Sequence, residues 1–436
     1  MGSRPDAAGK AVAVSVTPLP LEADSRALRI AQSLGEAGFR SIIVEGRASA
    51  RRFWSETVEV RSVERAVTEN RGGSILPPGR LRDSLLSMRR MGAASQVLLY
   101  GAFRAHDWWR YCWAPRPLIP PANLYVLHSF EFYRAVAPFA RRSGARIFYD
   151  AHDFYRGIEP VERQASFDRN LLHPFFRRLE GRLAAEANAI TTVSNGIAGL
   201  MAEAFGRRPD VIRNCHDERY DRARVPPLRK MLGLGEADRL AVMVGNYKPG
   251  LAIHAAAAAL QRLPENLHFA FLGRGYSAVA AALPGGLVGR RLHLGHVVPP
   301  DEIVPAIRGC DLGLVLYEPY SDNYRYALPN GFFQLVAAGL PIVRGELPEI
   351  ESAIAGRAVG YSLAQLEPEA IAQAVTRAMA ERTALRANLT TLTRSLRWEN
   401  EARRLRRLID KMHVIAGTAM MKSRDCDVAS ATLRLM

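Results

Sequence analysis

Two periodicities alternate along the chain. Ala11–Val16 is an apolar run of strand length, and from Asp24 to Gly38 apolar positions recur at helical spacing (Leu28, Ile30, Ala31, Leu34) before a closing glycine. Ser41–Val44 predicts the next strand, and Leu124–Leu127 and Arg146–Tyr149 repeat the theme. Ala189–Val193 predicts another, followed by a helix through Ala204. Strands alternating with helices predict a parallel sheet covered on both faces.

The pattern breaks at Asp221–Glu236, a polar stretch containing Pro226 and Pro227, and then begins again. Leu240–Val244 predicts a strand, Gly250–Leu263 an alanine-rich helix, Leu267–Leu272 a strand and Gly273-Arg274-Gly275 a tight turn. Leu292–Leu294, Asp311–Leu316 and Ile342–Val343 continue the sheet; Pro368–Glu381 and the basic, amphipathic Leu396–Asp410 predict helices. The expected division is an α/β half over 1–222, a second over 223–395, a helix over 396–411 returning to the first half, and a patternless tail over 412–436. Doubly wound sheets bind ligands at the carboxyl ends of their strands, so a cleft between the halves is the expected site.

Composition narrows the class. The chain has 436 residues, 48% hydrophobic and 23% charged, as a soluble globular protein does. Cys112, Cys215, Cys310 and Cys426 have neither metal nor redox spacing, which fits a reduced, cytoplasmic compartment. No apolar stretch approaches the roughly 20 residues of a membrane span. The apolar run near the N-terminus is too short for a secretory signal. The expected location is therefore inside the cell, free or on a membrane face. The net charge of +16 is shared by both halves. It favours anionic partners and, being diffuse and without a recognition motif, argues against nucleic acid. Residues 47–120 are the least regular. Within Leu81–Trp113, tryptophans 108, 109 and 113 stand among Arg82, Arg89, Arg90, Arg104 and Arg110, which suits an anionic membrane surface and equally suits a core helix with a solvated face.

Candidate chemistry gathers at Tyr317–Val343. A polar, aromatic loop ends at Pro329-Asn330, an apolar helix follows, and Gly339-Leu340-Pro341 leads into a strand. Asn330 is the expected N-cap. The free amides of such a helix start form an anion site suited to a diphosphate; an ordinary capped helix is the alternative. The run Asp425-Cys426-Asp427 lies in the patternless tail, and no metal site is expected.

Several segments together resemble one family. YDAHDFY (149–155), ITTVSNGIAGLMAEAFG (190–206), VIRNCHD (211–217), FLGRGY (271–276), ALPNGFFQLVAAGLPIV (327–343) and LRWENEARRL (396–405) are similar, in order and spacing, to family 4 glycosyltransferases. The resemblance implies a GT-B fold, in which two Rossmann-like doubly wound domains face a central cleft. The nucleotide-sugar donor would sit on the C-terminal domain and the acceptor on the N-terminal one. It further implies transfer with retention, no cofactor and no metal, with a UDP-sugar as the commonest donor.

By the same resemblance, Lys248 in VGNYKPG corresponds to a phosphate-binding lysine, a solvated loop charge being the alternative. Gly245, Gly273 and Gly275 belong to the donor loops, the latter two letting backbone approach the base or merely forming a turn. Asn330, Gly331 and Phe332 lie at the phosphate-binding helix start. Tyr326 and Gln334 stand where many members carry glutamates, and Gly331 where one branch carries lysine. His152 matches a histidine near the transferred sugar; His128, Asp24 and Arg26 are acceptor-side candidates. The implied function is transfer of a sugar to a glycan or polyprenyl-diphosphate-linked acceptor in polysaccharide biosynthesis. The glutamine and glycine leave open a degenerate sugar-binding relative, and the architecture leaves open a nucleotide-sugar epimerase.

Overall fold

The computed structural model describes residues 9–50, 57–70, 108–109, 111–155 and 173–414. They form two compact units. One takes the described residues up to His152, those of 173–191 and those from Leu405; the other takes Asp153–Tyr155 and Thr192–Arg404.

The first sheet has the order β3-β2-β1-β4-β5-β6-β7. Its strands are β1 (Val12–Thr17), β2 (Arg40–Glu45), β3 (Val58–Ser62), β4 (Leu124–Leu127), β5 (Arg146–Asp150), β6 (Ala189–Thr192) and the two-residue β7 (Asp210–Val211). The pairings β1·β2, β1·β4 and β4·β5 are parallel. β4 is buried at every position, as expected of a strand covered on both faces. The helices of this unit are α1 (Ser25–Glu36), α2 (Val63–Asn70), α3 (Tyr133–Ser143) and α4 (His173–Glu186). α1 ends with Gly38 at φ +96°, a conformation that favours glycine.

The second sheet has the order β10-β9-β8-β11-β12-β13. It comprises β8 (Arg239–Val244), β9 (Leu267–Leu272), β10 (Leu292–His296), β11 (Leu312–Val315), β12 (Ile342–Gly345) and β13 (Gly360–Leu363). Its helices include α5 (Asn195–Phe205), α6 (Ile253–Leu260), α7 (Asp322–Arg325), α8 (Asn330–Ala337), α9 (Pro348–Ile354), α10 (Pro368–Ala380) and α11 (Arg382–Ser395). The last helix, α12 (Trp398–Lys411), enters the first unit at Leu405. One continuous apolar core runs from Leu240 through Phe269, Phe271, Phe332 and Ile342 to Leu392. α6 is shorter than its sequence pattern. Leu251 bridges Tyr317, and the Ala252 amide bonds the Leu316 carbonyl, which delays the helix start. Each strand order reverses once, at β1/β4 and at β8/β11, and those switch points are where such sheets hold ligands.

At the opposite, amino ends of β9 and β10, His268 and His293 stack with centroids 5.4 Å apart and ring nitrogens 3.2 Å apart. Burial, followed by the charges of His268 and His296, pushes His293 down to about 4, and burial lowers His268 despite Asp238. The other charge against the pair is Arg291. An unfolded histidine protonates near 6.5. The depressed pair therefore stabilises the fold fully above that pH, and its contribution is lost as pH falls toward about 4. His293→Phe is expected to shrink the drop in melting temperature between about pH 7.5 and about pH 5, measured by circular dichroism.

Candidate active site

In the first unit the carboxyl ends of β1, β4, β5 and β6 converge on one carboxylate, Asp150. Arg26 grips it with Nε at 2.9 Å from Oδ2 and Nη2 at 2.7 Å from Oδ1. Thr191 Oγ1 donates to Oδ1 at 2.7 Å. His128 Nδ1 and His152 Nε2 lie 2.9 and 3.1 Å from Oδ2. A carboxylate only accepts, so both histidines present N–H to it. Burial alone would raise the Asp150 carboxyl; Arg26 and the two histidines outweigh it and hold the group well below the ordinary range.

Asp24, the N-cap of α1, accepts from the Ala27 amide at 3.1 Å and from Thr17 Oγ1 at 2.6 Å. Its carboxylate also stands 3.8 Å from His152 Nδ1. Burial tends to lower His152, but Asp24 and then Asp150 raise it. His152 is thereby biased toward the imidazolium form, and its ring is 27% exposed while Asp150 is fully buried. The arrangement presents a cationic N–H donor at the strand ends, braced from behind. His128, Asp150 and His152 are also spaced for metal ligation. Yet the Asp150 oxygens are already occupied by Arg26, Thr191 and the histidines, so a metal would have to displace a buried cation.

Two acceptor-side candidates are buried. Arg26 is 1% exposed and engaged by Asp150, and Asp24 is a buried helix cap. His128 is also buried, its Nε2 without a hydrogen bond among the described residues. Sequence reading noted Asp150 and Asp153 flanking His152 but gave Asp150 no role, and it passed over Thr191. The signal was present: an aspartate closing a strand two residues before the histidine.

In the second unit the loops after β8 and β9 are zipped together. The Gly245 amide bonds the Leu272 carbonyl, Tyr247 bonds Arg274, and the Arg274 amide bonds Asn246 Oδ1. Gly273 has φ +140°, and a Cβ there would lie 2.4 Å from the Gly245 carbonyl oxygen. Gly275 has φ +91°, with Tyr247 against it. These glycines bring the two loops together. Tyr276 donates to the Gly245 carbonyl at 2.8 Å, and Tyr317 lies over Gly245 from the β11 side. The Tyr320 and Tyr324 rings pack beside Gly250 with centroids 4.5 Å apart and planes tilted by 40°. Burial pushes Tyr317 up to about 12 and raises Tyr276. This tyrosine lining was not foreseen; its signal was the recurrence of tyrosine just after successive strands.

α8 begins beside these loops, one residue earlier than the expected cap implies. Pro329, with φ −68° and ψ 147°, is the N-cap, and Asn330 is the first helical residue. The Asn330 side chain takes a hydrogen bond from Asn214 Nδ2 instead of capping the helix. Phe332 bonds back to the Pro329 carbonyl, leaving the Asn330 and Gly331 amides without a backbone acceptor among the described residues. Gly331 packs directly on the end of β8: a Cβ would lie 2.3 Å from the Val244 carbonyl oxygen. Any side chain at this position would collide with that backbone. Phe332, expected at the donor, is fully buried in the core against Phe333. Gln334 is half-buried, and its amide makes no hydrogen bond to a described residue. Lys248 is exposed on the β8 loop. Tyr326 lies against Gly196, and its carbonyl accepts from Ser194. The described cysteines Cys112, Cys215 and Cys310 are buried. The Asp425–Asp427 run, Cys426 and most of residues 80–116 lie outside the described residues.

Two Rossmann-like parallel sheets with ligand loops at their carboxyl ends define the GT-B class of fold, the fold of many glycosyltransferases. The solved structures agree. The chain is similar to the sucrose-phosphate synthase of Thermosynechococcus elongatus (TM-score 0.64, 13% identity, 93% of this chain and 100% of that one). It is likewise similar to Anabaena HepE in complex with UDP (0.61, 13%, 92% and 100%). A third likeness is to WaaG, a glycosyltransferase involved in lipopolysaccharide biosynthesis (0.54, 14%, 90% and 98%). In sequence it is 31% identical over 235 residues to a glycogen synthase of Bordetella bronchiseptica, a match covering 49% of this chain and 45% of that protein. The chain thus spans about half the length of the curated relative it matches. No protein-family model matches the chain.

Proposed function

We propose that the protein is a retaining glycosyltransferase of the family 4 type. It would move a hexose from a nucleotide sugar, with UDP the favoured nucleotide, to a glycan or polyprenyl-diphosphate-linked acceptor. Its place would be polysaccharide or glycoconjugate biosynthesis on the cytoplasmic face of a membrane. The observation that carries the reading is the start of α8, with two amides that have no backbone acceptor among the described residues, beside the glycine-zipped loops of the second unit. HepE, of the same fold, is solved with UDP and with UDP-glucose, and the sequence relative is a glycogen synthase. Among the described residues no helix is long and apolar enough to cross a membrane.

In this reading the amides of Asn330 and Gly331, with the Lys248 ammonium, bind the diphosphate and stabilise its charge as the sugar–oxygen bond breaks. No metal is invoked. The acceptor hydroxyl attacks on the face from which the diphosphate departs and loses its proton to it. Imidazolium His152 donates to an oxygen of the transferred sugar, and Asp150 and Asp24 keep it charged and oriented. Gln334 bonds a ribose hydroxyl through a neutral amide, more weakly than a carboxylate would.

The test is incubation with UDP-, GDP- and dTDP-sugars, following donor consumption by mass spectrometry and donor-dependent thermal shift. No turnover and no shift with any donor sinks the proposal; conversion of donor without acceptor would make the protein an epimerase. Lys248→Ala is expected to lower kcat/KM about tenfold, and Gln334→Glu to tighten UDP binding about fivefold, by the difference between neutral and charge-assisted hydrogen bonds. Activity appearing only in Gln334→Glu would identify a degenerate site.

A further inference from the structure

One face of the first unit carries exposed aromatic rings among arginines that have no acidic partner among the described residues. Trp113 is 55% exposed, with the Arg116 guanidinium 3.8 Å above its ring. Arg116 also donates to the Arg134 carbonyl at 3.2 Å, tying this turn to α3. The Arg134 guanidinium lies 5.5 Å from the Trp108 ring and 5.8 Å from Phe175, which is itself 36% exposed. On α4, Phe175, Arg178 and Arg182 follow at helical spacing and are exposed, while Leu179, Glu180, Leu183 and Ala184 turn to the core.

The acidic groups of these elements are already engaged. Glu180 is buried and accepts from Tyr149, Glu186 pairs with Arg141, and Glu131 accepts from Ser129. Arg116, Arg134, Arg177 and Arg178 make no ion pair among the described residues. A guanidinium stacked on a ring keeps its in-plane N–H donors for phosphate, and tryptophan beside arginine is the pairing suited to the headgroup level of a bilayer.

We propose that this face, centred on Trp113, Arg134 and Phe175, is a docking surface for an anionic lipid bilayer. The rings enter the headgroup region and the arginines bind lipid phosphates. Lipid is favoured over nucleic acid because the exposed rings lie on separate elements, with arginine heads between them and no groove of stacked bases to follow. The proposal is independent of sugar transfer, since binding to lipid is read without a donor.

The test is flotation of the full chain with vesicles of phosphatidylcholine alone and of phosphatidylcholine with phosphatidylglycerol. Binding is expected only to the anionic vesicles, and is expected to weaken sharply as salt rises from about 0.1 to about 1 M. Arg134→Gln with Arg178→Gln should weaken it about thirtyfold, at about fivefold per surface arginine. Trp113→Ala should weaken it with no change in salt dependence. Equal binding to uncharged vesicles, unchanged binding by both variants, or displacement by an oligonucleotide in preference to anionic lipid overturns the proposal. Should a variant melt early, the wild-type chain still decides. Brominated lipid in anionic vesicles is expected to quench its tryptophan fluorescence, and no quenching refutes the docking surface.

Discussion

Asp150→Asn is expected to destabilise the first unit by about 3–5 kcal/mol, the loss typical when one partner of a buried ion pair is removed. The reason is Arg26. Its side chain is 1% exposed, and two of its nitrogens end on Asp150, so the neutral amide leaves a buried cation uncompensated. An asparagine also brings an N–H₂ toward Arg26, Thr191 or a histidine, each of which is already donating. Urea titration should show a lower midpoint with an unchanged slope. The double variant Arg26→Met, Asp150→Leu removes both charges and is expected to recover much of the loss. An unchanged midpoint in Asp150→Asn would mean that the carboxylate does not hold the charge of Arg26.

The same substitution has a signed pH effect. The folded pKa of Asp150 is depressed, so its stabilisation is present above the ordinary value of 3.8 and is lost as pH falls through the folded value. His152 runs the other way. Its folded pKa is raised, so its contribution is full below 6.5 and is lost as pH rises through the folded value. If imidazolium His152 donates to the sugar, the transfer rate falls on the alkaline side, and Asp150→Asn moves that fall to lower pH. A rate profile that keeps its alkaline limb in the variant would remove His152 from the reaction.

The strand–helix alternation was legible because buried parallel strands are uninterrupted apolar runs: Leu124–Leu127 and Leu267–Leu272 have the same ends in sequence and structure. β3 and β13 were not legible. Both are edge strands in which most residues are partly or fully exposed, so no apolar run announces them. α3 was hidden by Pro138 inside it. The site was legible as a set of loops but not as a set of contacts. His152 was singled out by the resemblance, whereas the carboxylates that set its charge come from β5 and from the start of α1, 2 and 128 positions away in the chain. Asn330 has an N-cap residue's chemistry, but Asn214, distant in sequence, takes its side chain and Pro329 caps the helix. No local pattern carries such information.

Gly331→Lys introduces the residue found in one branch of the family the sequence resembles, yet it is expected to impair the protein. The backbone at Gly331 has ordinary helical geometry, so the obstacle is space. A Cβ would stand 2.3 Å from the Val244 carbonyl oxygen and 3.5 Å from the Val244 Cβ, and the first of these is backbone that cannot rotate away. α8 would have to lift from β8, opening contacts around Phe332 and Leu335, both fully buried. Overpacking of this kind costs about 3 kcal/mol. The same movement displaces the Asn330 and Gly331 amides, so UDP binding should weaken despite the added positive charge. Gly331→Ala separates the causes: it introduces the collision without the charge and is expected to show most of the destabilisation in thermal melts and most of the lost UDP affinity in calorimetry. A lysine variant that bound UDP more tightly at unchanged melting temperature would show that the helix start can yield, and that charge, not close packing, limits the diphosphate site.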